Sequence, residues 1–218
     1  MRLYKLTNAD GCTKDNTQWE VGITHSAKGS QDQDLCSDGF IHAYESPLLA
    51  VLLNPIHADF DPLRLWEAEG EIIKRDGQLK VGCKSLTTIR EIPIPAISTE
   101  QRVRFAILVS KTVYLENSWS VWATNWLNGK DRTKNAARAA AWAAYDTNAA
   151  NAAAYAVYAA NAATAAAYAA YATNAAEAAV DAANAAAYAT TAATAASHFY
   201  SKELDLISIA EQAIGEES

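Results

Sequence analysis

Two rhythms divide the chain. Up to Glu116 short apolar runs alternate with turn-forming residues, the texture of strands and short helices; beyond it the spacing turns helical and alanine dominates. Residues 3–6 read as a strand running into Asn8-Ala9-Asp10-Gly11, a turn in which Gly11 supplies a positive φ and Asn or Asp bonds the backbone. A second strand is expected over residues 19–24, an exposed polar loop over 26–38, and a brief strand over 39–42. Ser46 and Pro47 open a helix as N-cap and first residue; Leu48, Leu49, Val51, Leu52 and Leu53 make it apolar on most sides, and Asn54-Pro55 should end it.

Further strands are expected over residues 63–68, 71–73, 78–81 and 86–92, separated by Gly70, Asp76-Gly77 and Gly82. Ser98 and Gln101 have capping-box spacing for a helix whose face of Val103, Phe105, Ala106 and Val109 turns inward, before a last strand at 112–115. The pattern predicts an α+β domain over residues 1–116, a mostly antiparallel sheet with two short helices. An all-α alanine-rich region should fill 117–218.

In that second region Trp119, Trp122 and Trp126 form one helical stripe ending at Gly129, and docking of this helix onto the first domain is expected to bury it. Asp131 is the expected cap of the next helix. Alanine then fills 35 of the 58 positions from 139 to 196, with Asp146, Glu177 and Asp181 as the only charges. The stretch is a repeat of thirteen residues: 139–151 reads AAAWAAYDTNAAN, 152–164 AAAYAVYAANAAT, and 165–177 AAAYAAYATNAAE. Its larger residues step by 3, 3, 3 and 4. On a regular helix of 3.6 residues per turn the stripe drifts by about 140° per repeat. Two arrangements remain: a rod surrounded by neighbouring chains, or shorter helices broken at Asp146-Thr147-Asn148, Thr173-Asn174 or Thr190-Thr191 and packed closely. Trp142, Tyr145, Tyr155, Tyr158, Tyr168 and Tyr171 are the expected packing residues in either. A final helix, capped by Ser201 and stopped by Gly215, should turn Leu204, Ile207, Ala210 and Ile214 inward.

Charge and cysteine usage narrow the function. A net charge of -7 and the absence of Lys and Arg between Arg138 and Lys202 argue against nucleic acid as partner of the repeat. Asn and Thr throughout the tract, with few Leu, Ile or Phe, argue against a membrane span. Cys12, Cys36 and Cys83 have unrelated spacings, which suits free thiols and a cytoplasmic protein. His25, Cys36, His42, His57 and Cys83 lack metal-ligand spacing, so no metal is expected, and no phosphate-cradling glycine motif is present.

The run Asp38-Gly39-Phe40-Ile41-His42, after a Leu-Tyr-Lys-Leu strand and before a Ser-Pro-Leu-Leu helix, resembles a bacterial family with an Asp-Gly-Phe-Ile-His signature and an ADP-ribosyltransferase-like fold. With Trp19-Glu20-Val21-Gly22 and Trp66-Glu67-Ala68-Glu69-Gly70, residues 1–116 also resemble a small domain of unknown function common in bacteriophage proteins. The segment from Trp119 to Trp142 is similar to alanine-rich helical proteins of phages and bacteria labelled as immunity proteins. The resemblance implies a crevice near His42 suited to NAD or an ADP-ribose derivative, with His42 on a ribose hydroxyl, Tyr44 stacking on a ring, and Trp66 as a further candidate. Glu67, Glu69 and Glu71 are possible catalytic glutamates, none of them in a marking motif. For His42 a second role is open, tying strand to loop.

These readings favour a phage-type binding protein with no cofactor and no catalytic residue. Its repeat would form a homo-oligomer or dock a host protein, and its first domain would recognise a ligand. The alternative is an NAD-consuming or ADP-ribosyl-transferring enzyme.

Overall fold

The computed structural model describes residues 1–143, 175–199 and 204–215. They form two compact units, residues 1–96 with 204–207, and residues 97–143 with 175–199 and 208–215. The N-terminal part is α+β and the C-terminal part helical, as the patterning predicts.

In the first unit β1 (Arg2–Asn8), β2 (Thr24–Ser26), β3 (Ile41–Ala43), β4 (Leu63–Asp76) and β5 (Lys80–Ile92) form one antiparallel sheet in the order β1-β4-β5-β2, with β3 also on β5. β2 pairs with Ser85–Thr87 and β3 with Val81–Cys83, so the two short strands lie end to end along one edge of β5. The opposite edge, β1, meets the chain just past β3 through reciprocal amide bonds between Tyr4 and Tyr44. The sheet therefore curls until its edges meet. Leu3, Trp19, Ala43, Ala68, Val81, Cys83 and Leu86 pack as one buried cluster in this unit.

The glycines at 70 and 82 do not divide the strands as their sequence signature suggests. Each lies inside a single long strand, because the missing side chain lets another group approach. A Cβ on Gly82 would stand 2.4 Å from Leu35 Cδ1 and 2.8 Å from Phe40 Cδ1, and one on Gly70 would stand 2.9 Å from Leu86 Cδ1. Register shifts beside Gly70 and Ile72 absorb the bend. Gly77 is a true turn, with φ at 51°. The strand expected over 19–24 is shorter and later: Gly22 takes a φ of 78°, and pairing begins at Thr24.

Helix α1 (Pro47–His57) starts as predicted, the Ser46 hydroxyl accepting the Leu49 amide. It continues through Pro55, because Asn54 supplies a replacement terminus. The Asn54 carbonyl accepts the amides of Ala58 and Asp59, and its side chain bonds both backbone groups of Phe60.

The second unit contains α2 (Thr99–Val113), α3 (Asn117–Leu127), α4 (Lys134–Ala143), the helix Ala175–Phe199, and residues 208–215 of the helix Leu206–Gly215. The capping box of Ser98 and Gln101 is complete. No strand forms at 112–115, since α2 runs to Val113. Trp119, Trp122 and Trp126 are covered by Val103, Ala106 and Ile107 of α2 and by Ala137, Ala140, Ala189 and Ala192, a core made of helices. α3 ends at Gly129 with φ at 69°. Its last carbonyls are satisfied by cations: Arg104 donates to Leu127 O at 3.1 Å, and Arg132 donates to Trp126 O at 3.1 Å while lying over the Trp126 ring. Asp131 does not cap α4 itself; its carboxylate fixes Thr133, and the Thr133 hydroxyl accepts the Ala136 amide.

Two parts of the alanine tract are described, its first residues at the end of α4 and the stretch within the helix Ala175–Phe199. The longer helix, Ala175–Phe199, runs unbroken through Thr190-Thr191, because threonine turns its hydroxyl back onto the helix: Thr191 donates to Ala187 O at 2.9 Å, and Thr194 to Thr190 O at 3.0 Å. Ala185, Ala189, Ala192, Ala193 and Ala196 are its buried face. In the last helix the buried residues are Leu206, Ala210 and Ala213, with Leu204, Ile207 and Ile214 half-buried. Trp142 belongs to α4. Tyr145, Tyr155, Tyr158, Tyr168, Tyr171, the clusters at 146–148 and 173–174, and Ser201 lie outside the described residues.

Candidate functional site

A cavity of about 550 Å³ opens in the first unit, lined from β1, the turn after it, the loop between β2 and β3, the end of α1 and the start of β5. Its walls are set by local bonding. The Asn8 side chain accepts the amides of Asp10 and Cys12, closing the predicted turn, and Gly11 has φ at 81°. Next, the Asp15 carboxylate accepts the hydroxyls of Thr13 and Thr17 at 2.7 Å each, and these bonds hold its pKa down to about 2. On the other side the long loop is pinched at its neck, where the Asp38 carbonyl accepts the amides of Lys28 and Gly29. Leu35 and Phe40 anchor it over Gly82.

Lys5 is the unusual group. It stands on β1 in phase with Leu3 and Thr7, and all three are buried. Its Nζ donates to His42 O at 2.9 Å and lies 5.2 Å from the Trp19 ring centre. Among the described residues no carboxylate pairs with it. Burial brings its pKa from 10.5 down to about 8, with the negative field of Asp15 acting in the opposite sense. Trp19, which also lines the cavity, has its indole N–H buried with no acceptor among the described residues. His25 meets the Trp19 ring edge-on at 4.6 Å and bonds Gln18 O.

Both His42 and Tyr44 line the cavity. Nε2 of His42 bonds Leu35 O, so the imidazole does tie its strand to the loop. A carbonyl on Nε2 makes that nitrogen the donor and leaves the lone pair on Nδ1 in the neutral ring. Burial is the chief cause that lowers the His42 pKa, reinforced by Lys5 and Lys80. Tyr44 is stacked on His57 with centres 6.4 Å apart, and burial raises its phenol pKa. Trp66 is elsewhere: its ring is buried beneath Arg64, and its N–H donates to the Thr7 hydroxyl at 2.9 Å. None of Glu67, Glu69 and Glu71 lines the cavity. Glu67, half-buried, is held by Arg90 and Arg2, and the Arg90 hydrogen bond above all lowers its pKa.

Lys5, Lys14, Lys28 and Lys80 face the cavity against Asp15 and Asp38, so positive charge exceeds negative around it. Trp19, Phe40, Tyr44 and Phe60 add flat apolar surface. Lys80 also donates to Cys36 Sγ at 2.8 Å. Sequence reasoning missed Lys5 and Trp19. The available signal was a lysine on the Leu3–Thr7 face of a strand, where alternation demands an apolar residue. Among the described residues no group of three or more His, Cys, Asp or Glu is placed to hold a metal, and no helix is long and apolar enough to cross a membrane. No curated protein and no solved structure matches the chain. Residues 1–100 match a family described as a domain of unknown function (DUF7666), and over that stretch the chain is similar to it.

Proposed function

We propose that this chain is a binding protein whose first unit takes a small anionic, ring-bearing molecule in the cavity beside Lys5, and whose alanine-rich stretch mediates self-assembly or docks a host protein. The observation that carries the ligand reading is Lys5 itself, a buried ammonium held by one backbone carbonyl with no carboxylate partner among the described residues. Burying such a charge costs free energy that an incoming anion offsets. The lysine excess and the aromatic walls suit the same class of molecule. The Asp-Gly-Phe-Ile-His resemblance supports NAD or an ADP-ribose derivative as that ligand and a phage-type origin for the chain.

The enzymatic alternative, ADP-ribosyl transfer or NAD consumption, draws on the same cavity but lacks a glutamate in its lining. A developing ribosyl cation needs a carboxylate beside it; those in the lining are Asp15, bonded to Thr13 and Thr17, and Asp38, neither of them the glutamate that the resemblance implies, so binding without turnover is the reading we favour.

Isothermal titration of the full chain with ADP-ribose, NAD and inorganic pyrophosphate tests it. Saturable heat that weakens at least tenfold in Lys5→Met and in His42→Ala supports the reading, and no heat with any of the three contradicts it. Light scattering tests the assembly half: a particle larger than one chain supports it, and a strict monomer at micromolar concentration contradicts it.

A further inference from the structure

We infer that Lys5 is a carbonyl-reactive amine, and that the cavity accepts an aldehyde or ketone bearing an anionic group, which Lys5 captures as an imine. This rests on the reading of the cavity as an anion site and adds covalent chemistry to it. Four observations converge. Lys5 lines a cavity large enough for a small molecule yet is itself buried. Its only hydrogen bond among the described residues goes to a carbonyl oxygen, which bonds ammonium and neutral amine alike. Its Nζ also lies over the face of Trp19, and among the described residues no carboxylate bonds the amine, Asp15 acting on it through its field alone. His42, lining the same cavity, bonds Leu35 through Nε2 and keeps Nδ1 as a base when neutral.

Desolvation of the ammonium makes the amine form accessible near neutral pH, which is the way buried lysines become nucleophiles. In the step itself the Lys5 lone pair attacks the carbonyl carbon, and the carbon–oxygen π pair goes to oxygen. Proton transfer from nitrogen to oxygen gives the carbinolamine. The nitrogen lone pair then expels the oxygen, which departs as water with a second proton from nitrogen, leaving a carbon–nitrogen double bond. His42 Nδ1 is the proton carrier. No oxidant or reductant takes part. Lys14, Lys28 and Lys80 supply charge for the ligand's anionic group.

The full chain is incubated with glyoxylate and cyanoborohydride near neutral pH, and the modified lysines are located by peptide mass spectrometry. The expected result is a carboxymethyl group on Lys5 at least tenfold faster than on Lys14 or Lys28, reduced in His42→Gln and abolished at that position in Lys5→Arg. Lys5→Arg keeps the charge, and circular dichroism establishes that it keeps the fold. Labelling of Lys5 no faster than of the other lysines overturns the inference. If pyrophosphate still binds by titration in that case, the anion site stands without the imine; if neither occurs, both fail.

Discussion

The ammonium of Lys5 donates to the carbonyl oxygen of His42 at 2.9 Å, joining β1 to β3 in the cavity wall with no acidic partner among the described residues. A cation in that position is costly to the folded state. With a folded pKa of about 8 against 10.5, the unfolded chain holds the proton more firmly, and the cost is fully present below pH 8. It is relieved as pH rises from about 8 to 10.5, a change worth up to about 3 kcal/mol. Lys5→Met, an isostere without charge, is therefore expected to match or exceed the parent in stability at pH 7 in urea melts. Its advantage should shrink by pH 10. Cys83, whose pKa burial raises to about 11, bends both profiles the opposite way, so the difference between the two proteins is the readout.

His42 predicts an acid limb. Burial depresses its pKa below 6.5, so the unfolded state binds the proton more readily. Stability tied to neutral His42 is complete above pH 6.5 and is lost as pH falls through the folded pKa. His42→Gln, which retains a donor for Leu35 O, should show a shallower loss of stability between pH 6.5 and 5 by thermal melting. An unchanged slope would count against a buried neutral imidazole.

Gly82 and Gly77 should separate two reasons for glycine. An alanine Cβ at 82 would meet Leu35 Cδ1 at 2.4 Å, so Gly82→Ala is expected to cost about 1–3 kcal/mol and to loosen the 27–40 loop. At 77 nothing lies within 4 Å, and only the φ of 51° resists a side chain. Gly77→Asn should therefore be tolerated within about 1 kcal/mol. Denaturant melts with protease sensitivity of the loop check both.

Trp119 is fully buried and meets Tyr114 edge-on at 5.6 Å. Trp119→Ala should destabilise the helical unit by about 3–5 kcal/mol. Val121 on the opposite face is 55% exposed, and Val121→Ala should change stability by less than about 0.5 kcal/mol. Chemical denaturation tracked by circular dichroism distinguishes them.

Residues whose local chemistry decided their conformation were legible in the sequence. Ser46-Pro47, Ser98 with Gln101, Asp76-Gly77 and Gly129 act where their patterns place them, because each satisfies backbone groups within a few residues. Gly70, Gly82 and Pro55 misled, since their effects depend on partners far along the chain or on a replacement cap. The strands joined across both glycines because Leu35, Phe40 and Leu86 come from elsewhere to fill the space. A motif singles out His42 in the sequence, with Tyr44 two residues on, and both line the cavity, whereas Lys5 becomes notable only once β1 is seen to bury that face. Trp66 misled for the converse reason: its aromatic ring is spent on the core and its N–H on Thr7.

Nitrogen-15 NMR of the tryptophan indoles tests the anion site most directly. The chain has six tryptophans; the Trp19 ring lies under Lys5, and its N–H is buried without an acceptor among the described residues. Titration with ADP-ribose and with pyrophosphate is expected to move the Trp19 indole resonance saturably, with the other five nearly still, and the response should vanish in Lys5→Met. A Trp19 resonance that stays fixed with both anions at millimolar concentration would contradict the account.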